Sequence, residues 1–466
     1  MGIDKIKHFV VLMLENRSFD HMLGFLKSPS YPIDGLTGAE VNPVDPHVKP
    51  PELVRVSKDA AYYGDINNPS HSMVPGALAQ LFGMSYDEIM KIDTYPHTQP
   101  ANNGFVYDYA MQNDPPPPPT IGPNIMKCFS PGALPALAGL AKQFAICDHW
   151  FSSVPGPTWP NRWFAHAASS DGYCGGSART STIKTIYNLL SAAGLSWMVY
   201  FHDVPQTLSL LALWDDKPNF QFIDKFLEDA QSGHLPAYSF IEPRYFDIDS
   251  PGHRANDQHP PHDVRFGEEL IATVYNAVRS SPQWNETALV ILYDEHGGMF
   301  DHAAPGVTVS PDGKTGSDDL NGHFISFLFN CLGARVPAVV VSPYIAAGTI
   351  CSTVFDHSSI PATIEKRFRL PHLSARDAQA KTFDVLFTLN TPRTDTPSKI
   401  LPPAIPKPEP PMQAELSDAQ FALLDLADSF PGSHPKLLRE KAMNSRRSEP
   451  EAGAYAAAAT QRFLGQ

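Results

Sequence analysis

The sequence predicts an α/β protein: a mostly parallel central sheet sandwiched between helices, with a short helical C-terminal appendage. Three observations lead there. Short β-branched runs recur at 10–14, 196–201, 289–293 and 336–341, apolar throughout, as interior strands of a parallel sheet must be. Between them lie stretches of helical spacing. Residues 266–280 place Leu270, Ile271, Val274 and Val278 on one stripe, and 134–144 form a second. Alternation of the two patterns is what helices covering both faces of a sheet produce.

The 466 residues suffice for one large α/β domain or two smaller ones. The expected division is a main domain over 1–390, a Pro-rich linker over 391–412 and a helical tail over 413–466. The tail has an acidic helix near 416–429 and a polar, Ala-rich end. Residues 27–70 are irregular and rich in Pro, Asn and Asp, and 114–120 read as a stiff polyproline II spacer. A net charge of −14 with no stripe of Lys and Arg excludes a nucleic-acid binder and offers no polybasic patch for anionic lipid. No run is long and apolar enough to cross a bilayer. The five cysteines, 128, 147, 174, 331 and 351, are scattered without a C-x-x-C pair and are expected to pack in the core. No leader precedes the first strand, so the chain is expected to be cytoplasmic or peripheral, or secreted with its leader removed.

The first strand runs straight into Glu15-Asn16, and the strand at 289–293 runs into Asp294-Glu295. Ligands of parallel α/β sheets bind beyond the carboxyl ends of strands. Either pair alone reads as a helix cap or a turn. Two such pairs at two strand ends bring four hard oxygen donors together, a set suited to Ca²⁺, Mg²⁺ or Mn²⁺ rather than a soft metal. A third element is Pro155-Gly156-Pro157-Thr158-Trp159-Pro160, a rigid turn that puts Thr158 at or beside the N-cap of a helix expected over 161–169. A hydroxyl there, next to a cation and to free helix N–H groups, is suited to attack phosphorus. Arg162, one turn on, either assists a phosphate or only pairs with a surface carboxylate. His71, His202, His259 and His357 occupy loops or strand ends among polar neighbours, not an apolar face, and are the candidate histidines for the chemistry, though singly an exposed histidine is more often inert.

Together "VVLMLENRSFDHMLG", "WFSSVPGPTWPNR", "NDQHPPHDV", "YDEHGGMFDH" and "FDHSSI" resemble the phosphoesterase family of bacterial and plant non-specific phospholipases C and acid phosphatase. The resemblance spans roughly residues 5 to 370. It implies an alkaline-phosphatase-like fold, one divalent cation held by Glu15, Asn16, Thr158, Asp294 and Glu295, and Thr158 as covalent nucleophile. It places His71, His202 and His259 at or near phosphate-contacting positions, with a less defined role for His357. Two features depart from the family pattern. Ala303-Ala304-Pro305-Gly306 replaces a Pro pair at the rim of the site, and the extra β-rich modules of the long haemolytic enzymes are missing.

The implied activity is a phospholipase C that releases diacylglycerol and a headgroup phosphate through a phosphothreonine, with His259 or His202 protonating the departing alcohol. The implied partner is a phospholipid or other phosphate ester met in transient contact with a membrane surface. Two alternatives stay open, a phosphomonoesterase of the same fold and a non-catalytic, metal-dependent binder of phosphate ligands. Phe82, Met84, Tyr86, Phe105, Tyr107, Leu208 and Leu211 either line a lipid channel or pack their loops.

Overall fold

The computed structural model describes residues 2–111, 122–248, 253–405, 407, 416–431 and 449–466. The polyproline stretch at 114–120 lies outside them, as do parts of the linker and tail. Eight strands form the main sheet: β1 (His8–Leu14), β2 (Ala145–Cys147), β3 (Trp197–Phe201), β4 (Phe220–Phe222), β5 (Tyr238–Ile241), β6 (Thr287–Tyr293), β7 (Ala338–Val341) and β8 (Thr349–Cys351). Across the sheet they lie in the order β8-β2-β7-β6-β1-β5-β3-β4. The helices that matter for the site are α1 (Pro135–Gln143), α2 (Thr158–Ala167), α3 (Val264–Ser280), α4 (Ser359–Phe368), α5 (Ala375–Gln379), α6 (Asp418–Ser429) and α7 (Glu449–Leu464).

β1 is central because its residues suit no other place. Every residue from Phe9 to Leu14 is buried, so neither face can meet water. It pairs in parallel with β5 (Phe9 opposite Tyr238) and with β6 (Leu14 opposite Tyr293). β3 continues the parallel run beside β5, and β4 beside β3. Four adjacent strands, β6, β1, β5 and β3, therefore present their carboxyl ends at one edge. The run at 336–341 was expected as a parallel interior strand. β7 is interior, but it runs antiparallel to both β6 and β2; an apolar run reports burial on two faces, not direction.

The Pro-rich stretch does not hang free where it is described. Arg393 donates to the carbonyls of Gln143 (2.7 Å) and Ile345 (3.2 Å), and α3 holds it through Tyr275 to Pro397 and Asn276 to Ile400. The tail is docked rather than loose. Leu423, Leu426, Ala456 and Phe463 belong to the same hydrophobic core as β1. Phe463 stacks on Phe430 at 4.8 Å and meets Trp214 edge-on at 4.9 Å. The Ala-rich end of the tail is the helix α7, whose small residues let it pack close.

Phe105 and Leu208 are fully buried in hydrophobic clusters and are loop packing, not channel lining. Tyr86 is exposed, and Phe82, Met84, Tyr107 and Leu211 are half-buried. Four cysteines are buried, Cys331 is half-buried, and all five are free thiols. No helix among the described residues is long and apolar enough to cross a membrane.

Candidate active site

Each of the four parallel strands delivers a polar residue at its carboxyl end: Asp294-Glu295 after β6, Glu15-Asn16 after β1, Glu242 after β5 and His202 after β3. The backbone explains the sharp change of direction after β1. Asn16 sits at φ 51°, the left-handed region that asparagine tolerates better than most residues. Its N–H donates to Asp294 Oδ1 at 2.9 Å, which ties the two strand ends together. Gly297, at φ +62°, packs directly against the Asn16 carbonyl.

Thr158 comes from across the pocket. α2 begins with it, three residues earlier than the sequence suggests, and Pro157 in the N-cap position supplies no capping side chain. The N-terminal N–H groups of this helix are thus left without a side-chain acceptor. Asn161 folds back to fix the approach, donating to the carbonyls of Gly156 (2.9 Å) and Pro157 (3.1 Å) and accepting from Val154 N (3.0 Å). The result places Thr158 Oγ1 3.2 Å from both Glu15 Oε2 and Asn16 Oδ1. One hydroxyl proton cannot serve two acceptors at once.

The charge balance is uneven. Glu15, Glu242, Asp294 and Glu295 are all buried to 1% exposure or less, and one guanidinium faces them. Arg162 lies 2.6 Å from Glu15 Oε1, 3.4 Å from Asp294 Oδ2 and 4.0 Å from Glu242 Oε2. It also donates to the Met13 carbonyl. Burial pushes the Glu15 carboxyl well above the usual range against the pull of Arg162, and pushes Glu295 up as well. Asp294 Oδ2 and Glu295 Oε1 are buried without a hydrogen bond. Orphaned carboxylate oxygens beside excess negative charge fit a hard divalent cation.

The histidines divide. His71 and His259 lie together, ring centroids 5.9 Å apart. Both direct Nδ1 at backbone carbonyls, of Pro69 (3.0 Å) and Pro260 (2.6 Å), so both present Nε2 to the pocket. Nε2 of His259 is buried without a partner, and burial lowers its pKa to about 4. His71 Nε2 is 3.4 Å from Asp418 Oδ2 at the start of α6. Burial works against its charge, but Asp418 and Glu295 outweigh burial and raise its pKa. His202 donates Nδ1–H to the Glu242 carbonyl at 3.0 Å, and burial lowers its pKa to about 3.

Two expected substrate contacts make protein contacts of their own. Arg162 pairs with Glu15 and donates Nη2 to the Met13 carbonyl, while its Nε and Nη1 are buried without a hydrogen bond, so it is the counter-charge of the pocket floor with donors to spare. His357 spends both nitrogens on the protein: Trp150 Nε1–H donates to Nδ1 at 3.2 Å, and Nε2–H donates to the Asp294 carbonyl at 2.5 Å. It therefore braces the strand end that carries Asp294. At the rim, where the Pro pair is replaced, Asn102 Nδ2 holds the carbonyls of Asp301 (2.9 Å) and Ala303 (3.1 Å).

Several groups escaped the sequence reading. Glu242 follows the apolar YSFI of β5 just as Glu15 follows β1, so the same strand-end rule finds it. It accepts from the N–H groups of Gln206 and Thr207, both at 2.9 Å, and from Tyr245 at 2.7 Å. His262, bridged between Asp257 (2.7 Å) and Glu449 (3.2 Å), and Asp418 carry no local signal, because their partners lie far along the chain.

A family model described as the phosphoesterase family matches residues 6–371. The chain belongs to that family. It is 41% identical over 482 residues to non-specific phospholipase C6 of Arabidopsis thaliana, covering 98% of this chain and 87% of that one. Non-specific phospholipase C1 of the same plant is 38% identical, with 98% and 86% covered. Phospholipase C B of Mycobacterium tuberculosis is 29% identical, with 84% and 79% covered. Among solved structures, phosphonate monoester hydrolase from Silicibacter pomeroyi is similar at a TM-score of 0.30 and 11% identity, over 56% of this chain and 73% of that one. The phosphoesterase is a hydrolase of phosphoric ester bonds.

Proposed function

We propose that this phosphoesterase is a phospholipase C that cleaves the glycerol-side phosphodiester of a phospholipid, leaving diacylglycerol and a headgroup phosphate. The observation that carries the reading is Thr158 Oγ1, first residue of an uncapped helix, held 3.2 Å from both Glu15 and Asn16 in a buried acidic pocket. The names of the plant and mycobacterial relatives supply the substrate class.

Glu15, Asn16, Thr158, Asp294 and Glu295 would hold one divalent cation of Ca²⁺, Mg²⁺ or Mn²⁺ type, which when bound lowers the proton affinity of the hydroxyl and offsets phosphate charge. Thr158 attacks phosphorus in line as its hydroxyl proton passes to a neutral imidazole, and the glycerol oxygen leaves with a proton from a charged one. Water then cleaves the phosphothreonine as the ring takes a proton back. Among the candidate rings, His71 is the one whose charged form its neighbours Asp418 and Glu295 favour, and it is assigned the donor role. His259, with its buried Nε2 unpartnered, and His202, with Nδ1 given to the Glu242 carbonyl, are assigned to accept. The helix N–H groups beside Thr158 steady the phosphate oxygens.

Headgroup release from phosphatidylcholine vesicles, compared with phosphate release from p-nitrophenyl phosphate, tests the reading. Thr158→Ala is expected to lower lipid turnover at least a thousandfold with the fold intact, and near-normal turnover in that variant overturns the mechanism. Release from the monoester alone makes the chain a phosphomonoesterase, and release from neither makes it a binder.

A further inference from the structure

The corner where α4 gives way to α5 holds three potential ligands away from Thr158: Glu365 in α4, His372 in the connecting loop and Asp377 in α5. Their candidate ligand atoms all lie within 4.8 Å of one another. Glu365 and Asp377 are buried at 0% and 1% exposure, while the His372 side chain is half in solvent and gives an entry path. His372 Nδ1 is 2.8 Å from Glu365 Oε2, and Glu365 Oε1 is buried without a hydrogen bond. Asp377 is aimed by three donors: Leu373 N and Ser374 N, both at 2.7 Å, and Ser374 Oγ at 3.0 Å. Donors of that kind fix a ligating carboxylate.

Nearby basic side chains are spent elsewhere. Lys366 pairs with Asp384, and Arg367 caps the carbonyls of Ile3 and Ile6. Arg376 binds Asp356 and the carbonyls of Ser153 and Phe329. Two carboxylates buried side by side need positive charge between them, and only a proton or a metal ion is small enough.

We propose that Glu365, His372 and Asp377 form a structural site for a first-row transition dication, of zinc or manganese type. One imidazole nitrogen with two carboxylate oxygens is a mixed set that suits those ions better than Ca²⁺ or Mg²⁺. Water fills the remaining positions on the exposed side. The ion locks α5 against α4, and α5 carries the Arg376 that pins Asp356, the neighbour of His357. The site is independent of the reaction proposed for Thr158.

The test is metal content per chain after dialysis of the full-length protein against Zn²⁺, with thermal midpoints measured with and without Zn²⁺. His372→Ala and Glu365→Gln are each expected to lose one equivalent and the zinc-dependent part of the midpoint, while His372→Ala keeps its turnover. Asp294→Asn is expected to retain that equivalent, so failure of the Thr158 pocket to bind metal is read separately. Unchanged metal content in both corner variants overturns the site. Zinc-insensitive midpoints, with Glu365→Gln as stable as wild type, would assign the charge to a shared proton and equally overturn it. His372→Gln serves should His372→Ala not fold.

Discussion

Replacing Gly297 by alanine tests whether the pocket depends on the seam between the β1 and β6 ends. A Cβ at this position would lie 2.1 Å from the Asn16 carbonyl oxygen and 2.6 Å from its carbon, where ordinary contact begins at 3.4 Å. The Asn16 peptide must then retreat by about 1.3 Å, the scale of misplacement that costs a catalytic group roughly a hundredfold. Asn16 cannot yield quietly, because its own φ of 51° and its N–H bond to Asp294 fix it from both sides. The alanine also adopts a left-handed φ at a cost of about 1–2 kcal/mol, with about 1–3 kcal/mol more for the forced contact. Gly313, at φ +72° with nothing within 4 Å, isolates the first cost. Gly313→Ala should lose about 1 kcal/mol and no turnover. Gly297→Ala should lose about 2–5 kcal/mol by denaturant unfolding and roughly a hundredfold in kcat. A Gly297→Ala enzyme with kcat within threefold of wild type would refute the reasoning.

Arg162→Met leaves the buried acids without their counter-charge and should cost about 3–5 kcal/mol, part of it restored by added Mg²⁺ or Ca²⁺ in thermal melts. Phe463→Ala, which opens a hole beside Phe430 and Trp214, should cost about 3–5 kcal/mol within a single unfolding transition. Separate melting of the tail would show that it is not part of the core. Burial opposes charge on His302, but Asp20 at 2.6 Å outweighs it and raises the pKa to about 9. The folded value exceeds the unfolded one, so this stabilisation is complete below about pH 6.5 and fades as pH rises through about 9. It amounts to about 3 kcal/mol. His302→Asn should flatten the stability profile between those limits, and an unchanged alkaline slope would count against the Asp20 pair.

The strand ends were legible because each signal is local: an apolar run followed at once by carboxylates, or a hydroxyl after Pro-Gly-Pro. The same locality explains what went unread. β2, β4 and β8 are three residues each, too short to show a period. β7 shows its burial but not its direction. Arg162 reads in sequence as a phosphate contact or a surface ion pair, and His357 as a loop or strand-end histidine. Their partners, however, are acids and a carbonyl that only tertiary folding brings near, and these turn both side chains inward. Asp418 looks like an ordinary first-turn acid of a surface helix until α6 is laid beside His71.

The position of β1 sets a problem for the chain as it is made. This wholly buried strand is produced long before its two neighbours in the sheet, which begin at Tyr238 and Thr287. Until some 230 further residues have followed, the strand has only water or a foreign surface to face. The nascent molecule therefore calls for a holding partner during synthesis. Refolding from denaturant should likewise reward dilution, since two unfinished chains that meet can each supply the edge the other lacks.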